Sequence, residues 1–92
     1  MKNIYIIVSG GTVTGVGFRW WLKMEAEKRS IYGYVKNRSK NEVEAVLFGE
    51  DKDVDELVKL ARKGPSSAHV KNLSIQNYQK KYLKKSFDIL HD

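Results

Sequence analysis

The chain has 92 residues, 41% hydrophobic and 30% charged, an ordinary composition for one folded domain over residues 1–92 and not for a disordered segment. It contains no cysteine, which excludes a disulfide framework, a thiol nucleophile and thiolate metal ligation, and no run approaches the roughly 20 apolar residues of a membrane span. The net charge of +6, with Lys80, Lys81, Lys84 and Lys85 crowded near the end, would attract small phosphates or nucleic acid, or simply solvate a loop and an edge strand.

Ile4 to Ser9 is rich in β-branched and aromatic residues and is closed by Gly10-Gly11, so it reads as a strand. Its apolar stretch is too short for a signal segment, and with the lack of cysteine this fits a cytoplasmic protein. From Phe18, apolar residues recur at Trp21, Leu22 and Ala26, a helical spacing that ends near Ser30 and sets Glu25 beside Arg29 on the exposed side. Ile31 to Arg38 and Glu42 to Phe48 read as strands joined by Ser39-Lys40-Asn41, with Asn41 expected in the left-handed conformation of a tight connection.

The second helix begins at Asp51, where Asp51, Asp53 and Asp55 suit a positive helix terminus. Val54, Leu57, Val58 and Ala61 make its buried stripe, and Lys63-Gly64-Pro65 supplies a positive last turn, a left-handed cap and a stop. A strand from Val70 to Tyr78, a lysine-rich loop and a short strand from Ser86 to Leu90 complete the chain. The order is β-α-β-β-α-β, with room for a small fifth strand. It predicts an α+β fold, a ferredoxin-like split-βαβ sandwich in which two helices bury their stripes on one face of an antiparallel sheet.

Between the first strand and helix lies Gly11-Thr12-Val13-Thr14-Gly15-Val16-Gly17-Phe18-Arg19. Its glycines let backbone N–H groups turn inward without a Cβ in the way, and the positive end of the helix faces the same spot. Arg19 adds a fixed charge suited to phosphate oxygens, although the helix dipole disfavours a cation there; a bound anion would resolve that conflict. Trp20 stands where a dinucleotide fingerprint needs its third glycine, and the lysine and hydroxyl ending of a nucleotide P-loop is missing. What remains is either a structural turn or a nest for one tetrahedral anion, built from Val13, Thr14, Gly15, Val16, Gly17, Phe18 and Arg19.

Asn37 is by default a strand-end residue, but alternation puts it on the same face as Val35 and Gly33. If that face meets the helices, its amide points toward the loop, where it can orient a water without titrating. His69 begins a strand and His91 sits in the tail, so both are read as surface residues. These separated histidines, and acids gathered on the second helix, offer no metal-ligand spacing; no metal and no cofactor are expected.

Gly15-Val16-Gly17-Phe18-Arg19, followed by Gly33-Tyr34-Val35-Lys36-Asn37, resembles the signature of the acylphosphatases, small enzymes that hydrolyse the carboxyl–phosphate bond of acyl phosphates. Val43-Glu44, Gly49, Gly64-Pro65, Ala68, Val70 and Phe87-Asp88-Ile89 continue the match in the family's order, so it spans essentially the whole chain. The resemblance implies metal-independent hydrolysis of small acyl phosphates such as acetyl or benzoyl phosphate. Arg19 and the loop amides would bind phosphate, and Asn37 would position the attacking water. It also implies a monomer, with inorganic phosphate as product and inhibitor, and Trp20 is placed to flank the site and touch an acyl group. Thr12 stands where the family usually carries arginine, Thr14 where it carries glutamine, and Lys40-Asn41-Glu42 replaces an aspartate-glycine turn; these departures bear on loop rigidity, affinity and rate.

The competing reading is an RNA-binding module, which shares this element order and basic charge and stacks bases on central-strand aromatics. Tyr5, Tyr32 and Tyr34 favour it. Glu42 to Phe48, with two acids and a single late aromatic, opposes it, because carboxylates repel a phosphate backbone. A third reading is a stand-alone relative of acylphosphatase-like domains found inside larger carbamoyl-transfer proteins.

Overall fold

Alternation along the first strand sorts the chain into a buried and an open side. Ile4, Ile6 and Val8 are buried while Asn3, Tyr5, Ile7 and Ser9 are only partly covered. The computed structural model describes residues 1–15, 17–80 and 84–91. Its elements are β1 (Lys2–Thr12), α1 (Phe18–Lys28), β2 (Tyr32–Ser39), β3 (Glu42–Gly49), α2 (Asp51–Lys63), β4 (His69–Asn77) and β5 (Phe87–Ile89). No helix among the described residues is long and apolar enough to cross a membrane.

The strands form one sheet in the order β4-β1-β3-β2-β5. The expected α+β, ferredoxin-like arrangement is present, but the sheet is mixed and not wholly antiparallel. β1 pairs antiparallel with β3 and β4, and β2 with β3, whereas β5 runs parallel to β2. The cause is the end at which the chain leaves β4. Ile4 pairs with Asn77, Lys2 with Gly49 and Tyr32 with Phe48, so β4 finishes at the edge of the sheet where β2 begins. The Tyr78 N–H donates to the Asn3 carbonyl there, and the Asn3 amide nitrogen donates to the Tyr78 and Lys80 carbonyls. A chain entering β5 from that edge runs in the direction of β2. Lys80, Lys84 and Lys85 of the basic cluster are exposed, and Lys81 lies outside the described residues.

Both helices lie on the Ile4, Ile6 and Val8 side. Phe18, Leu22 and Ala26 of α1 and Val54, Leu57, Val58 and Ala61 of α2 join Val35, Val43, Ala45, Leu47, Leu73 and Phe87 in one hydrophobic cluster. Trp21, expected in the buried stripe, is only partly buried; it packs against the cluster with its ring 5.4 Å from that of Phe18. Fully burying a side chain of Leu or Phe size contributes about 1.5–3 kcal/mol, so this shared layer is what holds the helices on the sheet.

Local structure departs from the sequence reading at its turns. β1 does not stop at Ser9 but continues through a bulged stretch to Thr12. Gly10 belongs to that strand, and the position needs glycine because a Cβ there would sit 1.9 Å from the His69 carbonyl oxygen. Asn41 is not left-handed: among the described residues the one non-glycine with positive φ is Ser30. Instead, a register shift between Asn37 and Ser39 takes up the strand twist, and Glu42 accepts hydrogen bonds from Arg38 and Ser39 across the turn. Gly64 closes α2 with φ 73°, but its ψ of 175° lies outside the left-handed helical region.

The end of α1 explains Ser30. The Ile31 N–H donates to the Ala26 carbonyl and the Ser30 N–H to the Glu27 carbonyl, while Ile31 and Ala26 are both buried. This is a Schellman closure with serine in the left-handed position that favours glycine. The expected Glu25–Arg29 pair forms at 2.8 Å, and Arg29 also reaches Glu56 at 2.9 Å. The hydrogen bond from Arg29 lowers the Glu25 carboxyl from its ordinary value, so the bridge contributes stability at neutral pH that is lost as pH falls through that lowered value.

Because φ at Ser30 is 54°, Ser30→Gly relieves strain and raises stability by about 0.5–1 kcal/mol, read as a higher denaturant midpoint at unchanged m-value.

Candidate active site

The sheet edge opposite the β4–β5 connection gathers the ends of β1, β2 and β5, and α1 starts there. The loop between β1 and α1 turns through Gly15 at φ 75° and Gly17 at φ 77°. A Cβ at either residue would meet nothing within 4 Å, so the backbone dihedral and not crowding calls for glycine. Gly17 caps α1 without a side-chain hydrogen bond, and no acidic residue stands in the first turn. In α2, by contrast, Asp51 and Asp53 stand there. The first N–H groups of a helix have no partner within it; those of α1 open onto a cleft.

Of the residues expected in the phosphate nest, Val13 and Phe18 are buried in the core, so their side chains anchor the loop and only their main chain can serve an anion. The Thr14 hydroxyl donates to the Lys40 carbonyl and ties the loop to the β2–β3 turn, which leaves only its N–H for the nest. The Gly10 N–H reaches the Asn41 carbonyl of that turn at 3.3 Å. Val16 lies outside the described residues. Gly15, Gly17 and Arg19 line the cleft together with Asn37.

That cleft has a volume of about 190 Å³ and is walled by the loop, the first turn of α1, Asn37, Ile89 at the end of β5 and His91 beyond it. A second opening of about 220 Å³ shares Arg19, Asn37 and His91 and adds Leu90. Trp20 stands at the rim, 59% exposed. His91, read from the sequence as a surface residue of the tail, is indeed exposed, but it faces the same space as Arg19 and Asn37. A larger opening of about 360 Å³ runs along α2 between Asp55, Glu56, Lys59 and Arg62; its rim carries both signs of charge and no orphaned polar atom.

Electrostatically the cleft is one-sided. Among the described residues neither Arg19 nor Arg62 on α2 makes an ion pair, whereas Arg29 is paired with Glu25 and Glu56, and Arg38 with Glu42; Arg62, unlike Arg19, borders an opening whose rim also carries Asp55 and Glu56. Among the described residues no carboxylate lines either opening. An unopposed guanidinium at the positive end of a helix attracts an anion placed about 4 Å away by about 4 kcal/mol before desolvation. The Asn37 carbonyl oxygen is buried without a hydrogen-bond partner, which costs about 1–3 kcal/mol. No hydrogen bond pins the carbonyl end of the amide, so half a turn about its last torsion offers the cleft either a donor or an acceptor. The other orphan oxygen among the described residues, on Asn3, belongs to an amide whose nitrogen is already used by Tyr78 and Lys80.

The face of the sheet away from the helices is built differently. Val46 pairs with Tyr5 on one side and Tyr34 on the other and is fully buried. The Tyr34 hydroxyl donates to Glu44. Burial, followed by the Glu44 charge, pushes both tyrosine hydroxyls above their ordinary value, so they act as neutral donors. A carboxylate at the centre of this face opposes the stacking of nucleic-acid bases on it.

The family model described as acylphosphatase matches residues 4–89. An acylphosphatase of Rhodopseudomonas palustris (strain BisB5) is 44% identical over 66 residues, covering 72% of this chain and 67% of that protein. One from Thiobacillus denitrificans is 38% identical over 82 residues, covering 89% and 91% respectively. The crystal structure of acylphosphatase from Bacillus subtilis aligns with a TM-score of 0.91 at 33% identity, covering 99% of this chain and 100% of that one.

Because the Thr14 hydroxyl joins the loop to the Lys40 carbonyl, Thr14→Val lowers stability by about 1 kcal/mol in a denaturant titration, the worth of one hydrogen bond.

Proposed function

The chain belongs to the acylphosphatase family, and we propose that its cleft hydrolyses the carboxyl–phosphate bond of small acyl phosphates, yielding a carboxylate and inorganic phosphate. Arg19 and the N–H groups of residues 13 to 18 hold the phosphoryl oxygens, and Asn37 aims a water at phosphorus. The observation that carries this reading is the shared cleft, in which an unopposed cation and an unpinned carboxamide face the same space.

An acyl phosphate already has a good leaving group, so the protein mainly supplies position and charge. The water oxygen bonds to phosphorus as the bond to the acyl oxygen breaks. The electron pair leaves with the carboxylate, and the water protons end on the phosphate product or pass to solvent. Neither a covalent nucleophile nor a strong general base is needed. As the phosphoryl group loosens, Arg19 and the loop amides stabilise its equatorial oxygens. Trp20, exposed at the rim, lies where the acyl group extends. The enzyme is read as a monomer acting through a single domain over residues 1–92, without metal and without nucleic acid, and inorganic phosphate competes with substrate for the nest.

With benzoyl phosphate as substrate, Arg19→Ala loses phosphate inhibition and lowers kcat/KM by about 10²–10³-fold. Asn37→Ala keeps phosphate inhibition and loses turnover, separating binding from water placement. Wild-type activity in both variants would remove these assignments. Excess chelator leaves turnover unchanged, whereas loss of activity restored by a divalent cation would overturn the metal-independent reading. A salt-sensitive RNA complex without hydrolysis would favour the binding module instead.

A further inference from the structure

β5 is three residues long, yet its direction decides where the end of the chain goes. Gly33 pairs with Phe87, Tyr34 with Asp88 and Val35 with Ile89 in parallel register, and the Leu90 N–H donates to the Val35 carbonyl at 2.9 Å. Continuing that register sets His91 beside Asn37, and alternation puts Phe87, Ile89 and His91 on the helix side of the sheet. His91 accordingly lines both openings together with Arg19 and Asn37.

The neighbouring charges do not offset this pairing of basic groups. On α1, Lys23 is engaged by Glu27 and by the Phe87 carbonyl, which leaves Arg19 as the charged group facing the cleft. On β2, Lys36 alternates to the opposite face, paired with Glu44 across the strands. On β5, Asp88 likewise alternates away and accepts a hydrogen bond from the Ser86 hydroxyl. Asp92 lies outside the described residues. Among the described residues the imidazole thus faces a guanidinium and a carboxamide with no carboxylate between them, an arrangement that gains from an anion placed between the two basic groups.

We propose that His91 is a second phosphoryl-contacting residue of this cleft, one whose charge makes anion binding tighter in mildly acidic solution; the inference rests on the phosphate reading of the cleft given above. Protonated, the imidazole presents a charged N–H to phosphoryl oxygens in the space it lines with Arg19. Neutral, it keeps at most a weaker donor. Proton and anion then promote each other's binding by linkage.

Sulfate is the probe, because it is tetrahedral and keeps its double charge throughout the range in which histidines titrate. Its inhibition constant against benzoyl phosphate hydrolysis is measured for the full chain near pH 5.5 and near pH 8. Wild type should bind sulfate about threefold more tightly at the lower pH, the scale of one exposed ion pair. His91→Gln should bind weakly at both pH values, and His91→Lys tightly at both. A wild-type pH difference retained in His91→Gln, or weak binding by His91→Lys near pH 8, overturns the role of His91. Arg19→Ala separates the two readings. If sulfate fails to compete in wild type, or competes equally well in Arg19→Ala, the cleft is not the phosphate site and both readings fall. If Arg19 is required but the pH difference survives His91→Gln, the role of His91 alone falls.

Discussion

An uncompensated positive end on α1 is the constraint around which the rest of the molecule is arranged. Helix termini are normally satisfied by a capping side chain or an acid in the first turn, and α1 has neither. It carries Arg19 instead, which adds charge of the disfavoured sign. Such a terminus persists only if the helix is held in place by other means. Phe18, adjacent to Arg19, is buried in the shared core, and Leu22 and Ala26 continue that contact along the helix. Burial on one side of the first turn thus supports an unfavourable electrostatic arrangement on the other, one that an anion bound there would relieve.

The loop leading into that turn shows the same division of labour. Gly15 and Gly17 supply positive φ, Val13 is buried, and the Thr14 hydroxyl fastens the loop to the neighbouring turn. A hydroxyl pointing away from the cleft contributes little charge but restricts backbone motion, which is what a nest of main-chain donors requires. Elsewhere Arg29 and Arg38 are matched by acids, and Arg62, which makes no ion pair among the described residues, has Asp55 and Glu56 along the same opening. Unpaired charge and an orphaned amide oxygen meet at the cleft, the pattern expected where a site and not stability sets the residue choice.

The mixed sheet has a functional consequence beyond packing. A wholly antiparallel sheet would send the segment after Phe87 toward the β4–β5 connection, far from the loop. Because β5 runs with β2, Ile89, Leu90 and His91 emerge at the edge where Asn37 and α1 begin the cleft. One strand direction therefore adds a wall to the site.

Much was legible in the residues themselves. The period-two runs and helical stripes are local consequences of side-chain direction, so the elements, their order and the layered α+β class could be read directly, with errors at turns such as Gly10 and Asn41, where a bulge replaced the expected stop or left-handed residue, and in the direction of β5. The glycine loop, Arg19 and Asn37 were legible through their resemblance to a family pattern, and alternation placed Asn37 on the face of Val35 and Gly33, which the structure shows to be the side packed by the helices. His91 could not be found that way. Its position depends on which edge the chain crosses after β4 and on the parallel register of β5, long-range pairings that leave no local trace in a tail. Composition and periodicity determined which faces are apolar and which segments bend; only tertiary pairing decided which strand ends share an edge, and hence that His91 joins Arg19 and Asn37 around one cleft.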